Sequence, residues 1–245
     1  MNIACFASIP TREHPLRRAV HSMLDQVDYV YVYCNGLKVP PKGLEDDRIS
    51  VTLSREAGWK GSEAKWYWSD GAKFRMHQLE HVDVYFTCDD DIEYPSDYVA
   101  SMTAALDRHP GSVVGVHGVR LKEPVVAYPG CIDLYANFRV GLEDDARCHL
   151  LGTGTVAFRP AELPDFDLST FYIPNMADVW LGVWARERGI ELWTPRRQRK
   201  WLKPLATHGF SISASHSRRQ DMAEVELLQL HSPWPKLPPW PRRRP

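Results

Sequence analysis

The chain has 245 residues, 44% of them hydrophobic and 25% charged, ordinary values for a soluble globular protein and ample for a large core. A formal net charge of −1 leaves no global field to drive it onto nucleic acid or an anionic membrane. No apolar run approaches the ~18 residues of a membrane span, the start Met1-Asn2-Ile3-Ala4-Cys5-Phe6 lacks a signal peptide's basic and apolar regions, and the five scattered Cys show no zinc-type spacing, which together predict a reduced, cytoplasmic protein.

A first strand is predicted over Ile3–Ala7, running into Ser8-Ile9-Pro10-Thr11-Arg12. A helix follows, with Pro15 near its start and Leu16, Ala19, Val20, Met23 and Leu24 at helical spacing. Tyr29–Cys34 reads as a second strand closed by the Asn35-Gly36 turn, and Ile49–Leu53 as a third. Residues Trp59 to His81 carry Gly61, Ala64, Trp68, Ala72, Met76 and Leu79 and predict a helix. The apolar run from Val84 to Cys88 is a buried strand, and Asp89-Asp90-Asp91 stands where it ends. A helix over Asp97–Arg108 is stopped by His109-Pro110-Gly111, and Val113–Val116 is another strand.

Residues 120–149 read as irregular, with Glu143-Asp144-Asp145 a solvated acidic loop. The stretch Gly152-Thr153-Gly154-Thr155 leads into a strand; it permits close backbone approach to a ligand, or is simply a tight turn. Met176–Arg188 is predicted helical with Val179, Trp180, Val183 and Trp184 on its apolar side, Leu192–Pro195 a last short strand, and Gln220–Leu230 an amphipathic helix. The tail Ser232–Pro245 has six Pro and ends in Arg242-Arg243-Arg244, so an extended or disordered segment with little core contribution is expected. Strands alternating with helices imply a largely parallel sheet, in which ligands bind at the carboxyl ends of strands.

Three adjacent carboxylates at a strand end cost several kcal/mol each to bury unless something positive neutralises them. Hard oxygen ligands there suit Mg²⁺ or Mn²⁺ held together with a substrate's phosphates; a solvated acidic turn before Pro95 is the alternative. On an extended segment Asp89 and Asp91 share a face while Asp90 points away, which gives Asp90 a structural role. Asp178, in the first turn of its helix, is either a dipole-stabilised helix residue or, with Trp180 and Trp184 desolvating it, a base.

In this order of elements the chain resembles a GT-A glycosyltransferase, and specifically the family 2 nucleotide-sugar transferases. Ala7-Ser8-Ile9-Pro10-Thr11-Arg12 is similar to the family's first strand and nucleotide-binding loop, Gly61-Ser62-Glu63-Ala64-Lys65 to its small-residue helix start, Asp89-Asp90-Asp91 to its DxD element, and Asn175-Met176-Ala177-Asp178 to the helix start bearing the base. The resemblance implies an α/β, Rossmann-like fold with a mostly parallel central sheet flanked by helices. It implies one domain over 1–231, with a nucleotide-binding half (1–115) and an acceptor half (116–231), followed by the tail.

It further implies that Ile9, Pro10, Thr11, Arg12, Gly61, Lys65, Asp89 and Asp90 face the donor, beside Gly154 whose loop permits close approach to donor or acceptor, that Asp89, Asp91 and His208 (or His216) hold Mn²⁺ or Mg²⁺, and that Asp178 is the base of an inverting transfer. Two departures stand out. Gln198-Arg199-Lys200-Trp201 is one residue short of the motif of processive members, and Ala177 replaces the acidic residue that often precedes the base. The implied activity is transfer of a single sugar from a UDP-type donor to a glycan or lipid-linked saccharide. Alternatives are a polyanionic acceptor such as modified DNA, reached by the terminal Arg cluster with Trp234 and Trp240, or a nucleotide-sugar hydrolase or nucleotidyltransferase.

Overall fold

Alternation along the strands decides the layering. In β1 (Asn2–Ser8), Ile3 and Cys5 enter one core while Ala4 and Phe6 enter the other, the period-2 pattern of a strand buried on both faces. The computed structural model describes residues 1–54, 70–76, 79–128, 130–163, 175–207, 218–240 and 243–244. After β1 a 3₁₀ turn, Pro10–Arg12, leads into α1 (Glu13–Leu24), whose Leu16, Ala19, Val20, Met23 and Leu24 are buried as their spacing predicts. Then come β2 (Tyr29–Cys34), β3 (Ile49–Leu53), β4 (Val84–Asp89), β5 (Ile92–Glu93) and α2 (Tyr98–Arg108).

The second half holds β6 (Val113–Gly115), β7 (Gly118–Leu121), β8 (Ile132–Ala136), β9 (Gly141–Leu142), β10 (Ala146–Cys148), β11 (Leu150–Leu151) and β12 (Thr155–Phe158). It continues through α3 (Ala177–Glu187), β13 (Leu192–Thr194), β14 (Lys203–Pro204), α4 (Arg218–Leu230) and β15 (Arg243–Arg244). The main sheet has the order β10-β13-β6-β12-β4-β1-β2-β3. β12 is antiparallel to both β4 and β6, and β10 is antiparallel to β13; the other pairings are parallel. Helices α1 and α2 pack on one face through Leu16, Met23, Met102 and Leu106, and α3 packs on the other through Val179, Leu181 and Val183. No helix among the described residues is long and apolar enough to cross a membrane.

Four sequence expectations change. Within the helix predicted from Trp59 to His81, Asp70–Phe74 form a 3₁₀ turn instead, while residues 59–69 and 77–78 of that prediction lie outside the described residues. The turn is tightened because the Tyr85 hydroxyl donates to the Lys73 carbonyl at 2.7 Å while Phe74 stacks on Phe158, and Phe158 on Tyr85. The irregular stretch 120–149 instead contains β7 to β10, strands of two to five residues too short to show a period. Asp145 is not solvated: its side chain is 10% exposed and accepts hydrogen bonds from Arg108 and His109.

The tail also differs. It is extended, but Trp234 is buried in the α3 core, its N–H donates to Glu123 at 2.6 Å, and Arg186 lies over its ring. Arg120 lies over the Trp240 ring, 4.3 Å from its centre, and donates to the Pro238 carbonyl. The two tail aromatics offered for base stacking are thus engaged by the protein itself.

Candidate active site

One edge of the sheet gathers the charged residues. In the parallel pairing of β1 with β4, Ala7 lies opposite Asp89, so the turn after β1 and the acidic run after β4 emerge side by side. The antiparallel β12 begins at that same edge, which brings Gly154 against Asp89. A Cβ on Gly154 would sit 1.9 Å from Asp89 Oδ2 and 2.1 Å from its Cγ, so the missing side chain makes room for this carboxylate. The Tyr94 hydroxyl accepts the Asp89 N–H at 2.8 Å and donates to the Gly154 carbonyl at 2.6 Å, fastening the two strands.

The three carboxylates have unequal surroundings. The side chains of Asp89 and Asp91 are 41% and 34% exposed. Asp90 is turned inward, where it accepts the Ser8 hydroxyl at 2.5 Å and a long contact of 3.5 Å from Arg12. Asp90 and Asp91 lie in a turn, so this division arises from the Ser8 and Arg12 contacts and not from strand alternation. Burial raises Asp90 to about 7, with Ser8 and Arg12 opposing. Burial, and then the charge of Asp89, raise Asp91 as well.

Two cations sit among them. Arg12 Nη1 is 2.6 Å from Asp91 Oδ2, and Lys73 Nζ is 2.5 Å from Asp89 Oδ1. Burial alone would lower the Lys73 ammonium, but the charge and hydrogen bond of Asp89 outweigh it and keep Lys73 protonated. In the same turn, Asp70 accepts the N–H groups of Asn175 at 2.8 Å and Ala177 at 2.9 Å, capping the helix that carries Asp178. Asp178 is half-buried in the first turn of α3 and accepts the Val179 N–H at 3.0 Å. Gly182 lets α3 press on β11, since a Cβ there would meet Leu150 at 2.2 Å. His117, just past β6, is lowered to about 4 by burial, with Asp89 opposing, and is therefore neutral near pH 7.

Of the residues read from the sequence, Arg12, Asp89, Asp90, Asp91 and Gly154 come together here. Ile9 and Pro10 lie on the approach to Arg12, and Thr11 is exposed, lining a groove of about 320 Å³ with His14, Arg18 and Leu205. Gly61, Lys65, His208 and His216, with Trp59, Trp66 and Trp68, lie outside the described residues. Ser8, Asp70, Lys73 and His117 were missed. The one signal available for Lys73 was a lone cation between apolar neighbours in Gly71-Ala72-Lys73-Phe74.

The donor set suits a divalent ion in part. Asp89 and Asp91 offer hard, partly exposed oxygens, the chemistry Mg²⁺ and Mn²⁺ take, with further positions left to phosphate oxygens and water. Among the described residues no group of three His, Cys, Asp or Glu is placed to hold a metal without such help.

No family profile matches the chain, and no curated protein matches it in sequence. Its structure is similar to a crystal structure of GalNAc-T7 with UDP, GalNAc and Mn²⁺, with a TM-score of 0.57 and 10% identity over 94% of this chain. The fold is GT-A. The similarity spans 48% of the GalNAc-T7 chain, so this chain corresponds to about half of that protein. The GT-A fold accounts for the sheet order and for the edge at which the acidic run emerges; at this identity it says nothing of the chemistry performed there.

Proposed function

We propose that the protein is a glycosyltransferase that moves one sugar from a nucleoside-diphosphate sugar, of UDP type, to an acceptor hydroxyl. The observation that carries this reading is the pair of partly exposed carboxylates, Asp89 and Asp91, at the end of the central β4 of a GT-A fold. A Mg²⁺ or Mn²⁺ bound there would neutralise the charge that grows on the departing diphosphate. Arg12 and Lys73 supply two further positive charges at the same end of the strand, fixed before the donor arrives. The Pro10–Arg12 turn, which places Arg12 against Asp91 and leaves Thr11 exposed, is assigned to the nucleotide.

Asp178 is assigned as the base that takes the acceptor's proton, which makes the displacement inverting. Its place supports the role: Asp70 accepts the N–H groups at the start of α3 and Lys73, in the same turn, pairs with Asp89, so the helix start that bears Asp178 and the acidic run are tied to one turn. A glycan or lipid-linked saccharide is the proposed acceptor.

The test is a thermal-shift screen of nucleotide sugars with Mn²⁺, followed by product analysis. A donor present far above its Kd should stabilise by ~2 kcal/mol or more, and Asp178→Asn should lower kcat by about 10²–10⁴-fold with little change in donor affinity. Release of free sugar without acceptor would turn the reading towards hydrolysis. No stabilisation by any nucleotide sugar would remove it.

A further inference from the structure

The two outer carboxylates of the acidic run already have partners, and those partners cannot easily leave. The Lys73 side chain is 5% exposed and the Arg12 side chain 9%, so both cations are held almost out of solvent beside the carboxylates they pair with. The Lys73 backbone is fastened by the Tyr85 hydroxyl, its neighbour Phe74 is stacked on Phe158, and Asp70 attracts the ammonium from within the same turn. Asp70 in turn caps α3, so moving this turn would disturb the start of that helix.

A divalent ion approaching Asp89 and Asp91 therefore meets two fixed positive charges a few ångströms away. Charges buried to this degree are poorly screened by salt, so the repulsion persists at ordinary ionic strength. A diphosphate changes the balance, because its negative charges offset the crowding of cations and give Lys73 a second acceptor. Metal and nucleotide are then linked: each should bind better when the other is present, by the same factor.

We propose that Lys73 is the positioning residue that couples metal binding to nucleoside-diphosphate binding, by holding Asp89 against a lone divalent cation and sharing it once a diphosphate is bound. This rests on the glycosyl-transfer reading for the nature of the ligand. The restraint on Asp89 rests on the ion pair alone.

Isothermal titration of Mn²⁺ into the full chain, with and without saturating UDP, tests the idea directly. Wild-type protein should bind Mn²⁺ at least about tenfold more tightly in the presence of UDP. Lys73→Met, of similar shape but uncharged, should tighten Mn²⁺ binding in the absence of UDP by about tenfold and shrink the gain that UDP brings. Lys73→Arg, which keeps the charge, should retain the wild-type pattern. Equal Mn²⁺ affinity with and without UDP in the wild type overturns the proposal, and that arm needs no variant to fold. A Lys73→Met protein with both affinities unchanged overturns it too. UDP binding with uncoupled Mn²⁺ refutes the role of Lys73 alone, whereas no UDP binding in any arm refutes the glycosyl-transfer reading beneath it.

Discussion

Asp90 and Asp145 each belong to an acidic run of three, and their side chains are nearly equally buried, 12% and 10% exposed, yet their surroundings push them in opposite directions. Asp145, at the edge where β10 meets β13, accepts Arg108 through Nε at 2.7 Å and Nη2 at 3.0 Å, the Arg196 N–H at 2.7 Å, and His109 at 2.8 Å. Burial would raise its carboxyl, but these donors outweigh it and hold it below the ordinary range. Asp90 has one hydroxyl and one long contact with Arg12, and burial wins. Donor count, not acidity of the sequence, separates a structural clamp from a site kept electrostatically unsettled.

The comparison breaks most sharply on activity. Asp89→Ala and Asp91→Ala should each cost roughly 10³-fold in transfer rate, the scale of deleting one preorganised electrostatic contact at a transition state; Asp89→Ala also strands the buried Lys73 ammonium, so its rate is compared at a temperature where the variant is folded. Asp145→Ala should leave transfer unchanged. If it instead abolished transfer with the fold intact, the two runs could not be divided in this way. Gly154→Ala tests the same division from the backbone side. Its Cβ would lie 1.9 Å from Asp89 Oδ2, so it should displace that carboxylate, lower kcat by about 10²-fold and cost about 1–3 kcal/mol in chemical denaturation; wild-type kcat would show that the position of Asp89 does not matter.

For Asp145 the effect should appear in stability and not in ligand binding. Asp145→Ala strands the Arg108 and Arg196 donors and should cost about 1–3 kcal/mol in denaturant titration, without effect on Mn²⁺ or nucleotide binding.

The smallest and most specific effect is in pH. Asp90 goes from 3.8 unfolded to about 7 folded, so the folded state binds the extra proton between those values and stability falls as pH rises through that window. Asp145 is lowered, so its contribution is present above 3.8 and is lost as pH falls through its folded value. Melting curves from pH 3 to pH 8 should show Asp90→Asn flattening the neutral limb and Asp145→Asn flattening the acid limb; identical profiles for both variants would refute the opposite assignments.

Much of the first half was legible because its signals are local. The apolar runs of β1 to β4 and the 3.6-residue spacing of α1 depend only on neighbours in the chain, and the structure returns Tyr29–Cys34 and Ile49–Leu53 with the expected bounds. The acidic run was legible as an unusual charge at a strand's end. Lys73 was not, because its partner Asp89 is 16 residues away and its own segment carries an apolar spacing that reads as a helix. Trp234 was hidden by its Pro-rich setting; the acceptor that orders it, Glu123, lies 111 residues earlier. Gly154 read as a loop residue, and only the antiparallel register of β12 beside β4 reveals what its missing Cβ admits.

The amino-acid order by itself determined the alternation of strands and helices, the two-faced burial of the central strands and the place where three carboxylates leave the sheet. These follow from periodicity and from the cost of burying like charges, which act over a few residues. Tertiary structure alone decided which contacts turn Asp90 inward, which cation holds each carboxylate, and that a turn near residue 73 would brace both the β4 tip and the head of α3. Such pairings depend on atoms brought within about 3 Å by folding, and no interaction along the chain encodes them one segment at a time.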